Sequence, residues 1–226
     1  EATNCTFNGW TSFAKTAGEA KFVNCTFGEG SGYKYCRPYS DTEFVNCTFT
    51  KNKAKQYFSF QGGLRLYNNS FFNNEADVFL YDQSYDNSES STIVGNVFLK
   101  NDFTAILDGG HRTTSSSYFD LVKHNLFQSE MVVFSTWPDN INLSGAENLG
   151  NNLFDLDASG EFVLKNNGGF TPTVALKSDR LPDGTSIRFP LSETTVTTDQ
   201  RGVARLEQTC MGAYELVCSP VEVKIA

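Results

Sequence analysis

One tetrapeptide recurs along this chain, and its recurrence restricts the fold more than any local propensity. Asn4-Cys5-Thr6-Phe7, Asn24-Cys25-Thr26-Phe27, Asn46-Cys47-Thr48-Phe49, Asn68-Asn69-Ser70-Phe71, Gly95-Asn96-Val97-Phe98, His124-Asn125-Leu126-Phe127 and Asn151-Asn152-Leu153-Phe154 form one series, spaced by 20, 22, 22, 27, 29 and 27 residues. Periods of this size mark repeats that stack on one another. Aligned on the second position, the copies give three columns: an apolar residue three places earlier (Ala2, Phe22, Phe44, Leu66, Ile93, Val122, Leu149), then Cys or Asn, then Phe two places later. Residues five apart on an uninterrupted strand face opposite sides, so two inward columns at that separation need a bend in every repeat. A bend per repeat predicts a solenoid and not a sandwich.

Short β-branched and aromatic runs such as Phe44-Val45, Thr92-Ile93-Val94 and Val132-Val133-Phe134 alternate with Asn, Gly, Ser and Asp, the pattern of strands and turns. The expected fold is all-β: a right-handed, single-stranded parallel β-helix of about seven or more coils over residues 1–165, with residues 166–226 as a capping segment of the same domain. Insertions are expected around residues 73–91, 102–119 and 131–147, beginning at the fourth coil, and any binding surface is expected on them. Coils about 4.8 Å apart place like on like. Phe7, Phe27, Phe49, Phe71, Phe98, Phe127 and Phe154 then form a ring stack, and Asn69, Asn96, Asn125 and Asn152 an amide ladder. Cys5, Cys25 and Cys47 occupy the same column as an inward thiol stack, since three members cannot pair without remainder; Cys210 and Cys218 form a candidate disulfide. Four of the five Asn-x-Ser/Thr sequons (Asn4, Asn24, Asn46, Asn68, but not Asn142) fall in the repeat, which itself dictates those residues.

The chain carries 18 basic and 26 acidic residues, a net charge of -8, and no basic run, so nucleic acid is not an expected partner. No stretch approaches the ~20 apolar residues of a transmembrane helix. Since Glu1 stands inside a repeat, further coils or a cap are expected before it, with any anchor or targeting segment outside this sequence.

Three motifs carry candidate chemistry. Asp108-Gly-Gly-His111-Arg112 puts an acid, a base and a guanidinium on one loop, a weak catalytic constellation. Asp155-Leu-Asp157-Ala-Ser159-Gly160 imitates the opening of a calcium loop, but its twelfth position is Asn166 where a bidentate Glu is needed, so a plain turn is expected and calcium is the one candidate cofactor. Asp77, Asp82, Asp86 and Glu89 form an acidic group read as a solvated loop.

Two stretches resemble known families. Phe49-Thr-Lys-Asn52, Gly62-Gly63-Leu64, Phe71-Phe-Asn-Asn74 and Phe98-Leu-Lys-Asn101 resemble the Phe-x-x-Asn and Gly-Gly-Ala repeats of polymorphic outer-membrane proteins and related adhesin-like β-helices, with Leu64 in place of Ala. Asn166-Asn-Gly168-Gly169-Phe-Thr171-Pro172, Thr198-Asp199-Gln200-Arg201-Gly202 and Gly212-Ala213-Tyr214-Glu215 resemble the closing segment of bacterial β-helix surface proteins, although Cys210-Met211 stands where those carry Asp-Ile. The resemblance implies an exported, outer-membrane-associated or released scaffold, with Asp199, Arg201 and Tyr214 as folding residues of the cap. The function expected on this basis is a non-catalytic cell-surface module contacting an extracellular glycan or a host or neighbour surface protein. The alternative is a polysaccharide lyase or glycoside hydrolase; against it, the sequence lacks an Asp-Asp pair, a Gly-His-Gly and an Arg-x-Pro-x-x-Arg, and its acidity repels anionic glycans. Ice binding would need an ordered Thr-x-Thr array, and the threonines here are scattered.

Overall fold

The computed structural model describes residues 1–9, 13–16, 18–38, 40–82, 91–109, 119–127, 137, 139–143 and 152–217. Three parallel sheets wrap around one interior. The first holds Ala2–Thr3, Ala20–Val23, Thr42–Val45, Leu64–Tyr67, Ser91–Val94 and Phe119–Lys123. The second holds Thr6–Asn8, Thr26–Gly28, Thr48–Thr50, Ser70–Phe72, Val97–Leu99, Leu126–Phe127 and Ile141–Asn142, and the third Phe13–Thr16, Ser31–Pro38, Lys53–Phe60, Glu75–Asp82 and Asp102–Gly109. Each strand pairs with its equivalent one coil away, so the chain is a parallel β-helix; no α-helix occurs among the described residues, and no helix is long and apolar enough to cross a membrane.

The columns read from the sequence define the interior. Phe7, Phe27, Phe49, Phe71, Phe98 and Phe127 stack with successive ring centroids 5.0, 4.7, 4.6, 4.6 and 5.2 Å apart. Phe22 and Phe44 form a second stack, edge-on to the first, and Phe58, Tyr57 and Phe79 of the third sheet complete the core. Each fully buried ring removes on the order of 150–250 Å² from water, with an aromatic pair term besides.

Two bends per coil separate the three sheets, and both use the same device. The first has one residue in the left-handed region in each coil (Asn4, Asn24, Asn46, Asn68, Gly95, His124 and Asp139), with φ between 51 and 71°. Asn, Asp and Gly tolerate this conformation best, which is why Asn leads the tetrapeptide. The second bend has Gly9, Glu29, Lys51, Asn73 and Lys100 in the same region. At the third corner Gly62 lies against the backbone of the coil before: a Cβ there would come within 2.4 Å of the Ser40 carbonyl carbon, so the Gly-Gly motif has a steric cause.

The seventh coil differs from expectation. The strand that follows Leu126–Phe127 is Ile141–Asn142, and Asn125 binds Asn140, so the tetrapeptide at residues 151–154 is not a coil. Asn152 is exposed, and Phe154 forms an antiparallel bridge with Leu176 and packs edge-on to Phe72, outside the ring stack. The true bend, Asp139-Asn140-Ile141-Asn142, escapes the pattern because Asn142 pairs with Phe127 where another Phe was sought. Trp137, three places before Asn140, packs on the core in place of the expected Leu149.

The C-terminal segment also differs. From Leu153 to Leu216 it runs along the outer face of the second sheet in isolated antiparallel bridges and one short antiparallel strand pair, Arg188–Pro190 with Gln208–Cys210, and does not sit over an end of the stack. Thr171 Oγ1 donates to Asn24 O (2.8 Å) and Thr26 Oγ1 to Pro172 O (2.6 Å) at the second coil, while Glu193 binds Lys123 and His124 at the sixth. Phe72, Val97, Leu99 and Leu126 point outward and are buried beneath Phe154, Phe162, Ile187, Phe189 and Met211. A sheet buried on both faces reads as a continuous apolar run, and Val97-Phe98-Leu99 is one.

Candidate functional site

The Cys/Asn column at the first bend is built into the backbone. Asn69 Nδ2 donates to Asn96 Oδ1 (3.0 Å) and to Phe44 O (2.9 Å); Asn96 Nδ2 donates to Asn125 Oδ1 (3.0 Å) and to Leu66 O (2.9 Å). Asn125 passes the pattern to Asn140, whose Nδ2 reaches Val122 O (3.1 Å). Each amide thus joins three coils. Cys5, Cys25 and Cys47 hold the same column as free thiols, and Cys47 Sγ donates to Val45 O (3.3 Å) and Phe22 O (3.5 Å). Burial pushes the Cys47 thiol well up, and that of Cys36 likewise. Cys210 is also a free, buried thiol, pushed up to about 12 by burial, which removes it from the proposed pair with Cys218; Cys218 lies outside the described residues.

A second ladder at the other bend went unread as a ladder. Asn52, Asn74 and Asn101, the asparagines of Phe-x-x-Asn, are linked Nδ2 to Oδ1 at 3.0 and 2.8 Å, and Tyr57 Oη donates to Asn74 Oδ1 (2.9 Å). The signal was in the sequence: three such asparagines stand three places after successive members of the Phe column.

Asp199, Arg201 and Tyr214 come together. Asp199, fully buried, accepts from Arg201 N, Val203 N and Glu215 N at 2.8–3.0 Å and from Arg201 Nε at 2.8 Å, while the Arg201 guanidinium lies 3.5 Å over the Tyr214 ring. Sequence reading missed their partners. Glu215 accepts from Arg188 Nη1 (2.8 Å), Thr209 Oγ1 (2.7 Å) and Cys210 N (3.0 Å), and Arg205 donates to Asn46 Oδ1 (2.8 Å), fastening the segment to the third coil. Burial lowers the pKa of Arg205. These charges spend their hydrogen bonds on one another and on backbone, which makes them a structural clamp.

The weak catalytic constellation is only partly on view. Asp108 is exposed at the end of the third sheet, paired in register with Tyr81; His111 and Arg112 lie outside the described residues. Asp77 and Asp82, expected on a loop, stand on the strand Glu75–Asp82, and Asp86 and Glu89 lie outside the described residues. At the calcium-like turn, Asp155 pairs with Lys165 (3.1 Å), and Asp157 Oδ1 accepts from Ser159 N, Ser159 Oγ and Glu161 N. These bonds, the Ser159 hydroxyl first, hold the Asp157 carboxyl below its usual range. Among the described residues no three His, Cys, Asp or Glu side chains converge as a metal site.

Among the clefts on the described surface, two border the sheets. One, of about 280 Å³, lies along the outer face of the first sheet, where Lys21–Glu43 (2.8 Å) and Arg65–Asp41 (2.7 Å) pair across coils. The other, of about 260 Å³, lies between the second bend and the flanking segment.

No curated protein and no solved structure matches the chain. A family model described as the right handed beta helix region matches residues 1–167. That match covers most of the chain and ends beyond the last parallel strand, and the stacked sheets agree with it: the chain belongs to the right-handed β-helix family.

Proposed function

We infer that this chain is a non-catalytic, adhesin-like rod, displayed at a bacterial surface or released from it, whose long connections contact an extracellular glycan or a surface protein of a host or neighbouring cell. One observation carries the reading. The connections from the third sheet back to the first span three residues in each of the first three coils, 17–19, 39–41 and 61–63, and then widen to residues 83–90 and 110–118 in the next two. Coils need only the short link, so the added length at one corner of successive coils serves something other than the fold. The chemically versatile side chains elsewhere, in the two ladders and the buried clamp, are committed to internal bonds. The net charge of -8 further favours a neutral or basic partner over an acidic glycan.

The test compares the full chain with a variant in which residues 83–90 and 110–118 are each cut to a three-residue link. Both are applied to a glycan array and to cultured cells, and incubated with polysaccharides while reducing and unsaturated ends are counted. Binding that disappears on shortening, without cleavage, is the expected result. Cleavage that Asp108→Asn abolishes would replace this reading with a polysaccharide lyase or glycoside hydrolase.

A further inference from the structure

We propose that the thiols of Cys5 and Cys25 together bind one soft monovalent ion, Cu(I) being the biological one, as a linear two-sulfur site. The inference is independent of the role given to the long connections. Cys5, Cys25 and Cys47 are all free thiols, and they hold the same place in three successive coils. The strands that follow them are in register, Thr6 with Thr26 and Thr26 with Thr48; Thr26 N donates to Cys5 O and Thr48 N to Cys25 O, both at 2.9 Å. Each thiol turns to the carbonyl two residues before it: Cys5 to Thr3 O, Cys25 to Val23 O and Cys47 to Val45 O, all at 3.3 Å. The side chains therefore leave parallel strands in parallel directions, repeating at the coil spacing of about 4.8 Å.

That spacing decides what two neighbouring thiols can do. A disulfide needs Cβ atoms about 3.5–4.5 Å apart, so forming one would draw the coils together. Two metal–thiolate bonds of about 2.3 Å laid end to end span about 4.6 Å, which meets the spacing as it stands. An ion that takes two ligands in line thus fits without moving a strand. Zinc asks for four ligands and calcium for six or more oxygens, and among the described residues no three His, Cys, Asp or Glu side chains converge as a metal site. Thiolate sulfur selects Cu(I).

Cys5 provides the way in. It is half-buried in the outermost described coil, whereas Cys25 and Cys47 are fully buried, so the pair within reach of solvent is Cys5 with Cys25. The thiols also interact: hydrogen bonds from the Cys47 side chain first, and from the Cys5 backbone and side chain, hold the Cys25 thiol down at about 7. On binding, each thiol releases its proton to solvent and gives a sulfur lone pair to the ion, so Cu(I) and two thiols become a copper dithiolate of single negative charge and two protons. No electron is transferred.

The experiment uses the full chain, reduced and then freed of reductant, with Cu(I) supplied anaerobically as its acetonitrile complex and bathocuproine disulfonate as the competing chelator. One copper per chain is expected to survive the competitor, with two sulfur neighbours and no nitrogen or oxygen by X-ray absorption. Cys5→Ser and Cys25→Ala are each expected to lose that copper, and Cys210→Ala to keep it. Circular dichroism of the metal-free variants checks that the coils persist, and should Cys25→Ala fail to fold, Cys5→Ser at its half-buried position decides alone. Copper surrendered to the chelator by the parent chain, coordination by three sulfurs or by nitrogen or oxygen, retention unchanged in Cys5→Ser, or equal retention of zinc would each overturn the proposal. So would a Cys5–Cys25 disulfide formed by the folded, metal-free chain under diamide, because the spacing would then suit the disulfide.

Discussion

The column at the first bend is sulfur in the first three coils and amide in the next four, although the backbone around it does not change. Cys47 Sγ donates to Val45 O and Phe22 O; Asn96 Nδ2 donates to the equivalent carbonyls, Val94 O and Leu66 O. The amide does something the thiol does poorly. Asn96 Oδ1 also accepts from Asn69 N (2.8 Å) and Asn69 Nδ2 (3.0 Å), whereas sulfur is a weak donor and a weak acceptor. The bend therefore demands a small inward polar residue after a left-handed one, and chemistry then sets how firmly adjacent coils are tied.

The sharpest way to break this comparison is Asn96→Ala. It strands the Asn69 backbone N–H in a dry interior, at about 1–3 kcal/mol, and removes the side-chain hydrogen bonds that Leu66 O, Val94 O and Asn125 Oδ1 accept from Asn96, so urea titration should show a loss of about 4 kcal/mol. Cys25→Ala in the thiol half should lose about 1 kcal/mol. Equal losses would erase the distinction between the two halves.

Glu215→Gln tests whether the flank is held independently of the ladders. Arg205 and Arg188 would face a neutral amide, at a cost of about 3 kcal/mol, and hydrogen exchange should rise over residues 186–216 while the coils stay protected. Exchange rising equally throughout would show that flank and coils unfold as one.

A smaller effect of opposite sign comes from extending the amide column. Cys47→Asn places an amide against Asn69 and should raise stability by about 1 kcal/mol, with Asn69→Cys moving it the other way. The mildest prediction concerns pH. Bonds from Lys123 and His124 hold the Glu193 carboxyl below its usual range. Its contribution is therefore complete above the ordinary glutamate pKa of about 4.3, and is lost as pH falls through the lower folded value. Protection of the amides of Phe189 and Leu191–Glu193, each measured against its intrinsic exchange rate at the same pH, should fall only on that acid side, and protection lost above the ordinary value would count against this pairing.

The coils were legible in the sequence because stacking repeats a residue type at a fixed place, and Phe, Asn and Cys all did so. The legibility ended where that repetition did. Asn142 broke the Phe column at the last bend, and Asn151-Asn152-Leu153-Phe154 imitated it elsewhere. The flank had no period to read, since its antiparallel pairings are short and do not repeat from coil to coil. Its clamp joins Arg188, Arg205 and Glu215, separated by 10 to 27 residues, and only the folded chain brings them together.

The most direct test of the claim that the two asparagine ladders hold the coils together is native-state hydrogen exchange resolved by residue. The backbone amides of Asn52, Asn69, Asn74 and Asn96 each donate to the side chain of the next coil's asparagine, at 2.8–3.1 Å. They should be among the slowest in the molecule, and Asn96→Ala should release Asn69 far more than Asn52 or Asn74. Exchange of these four at the rate of surface turns, or an Asn69 amide indifferent to the substitution, would contradict the account.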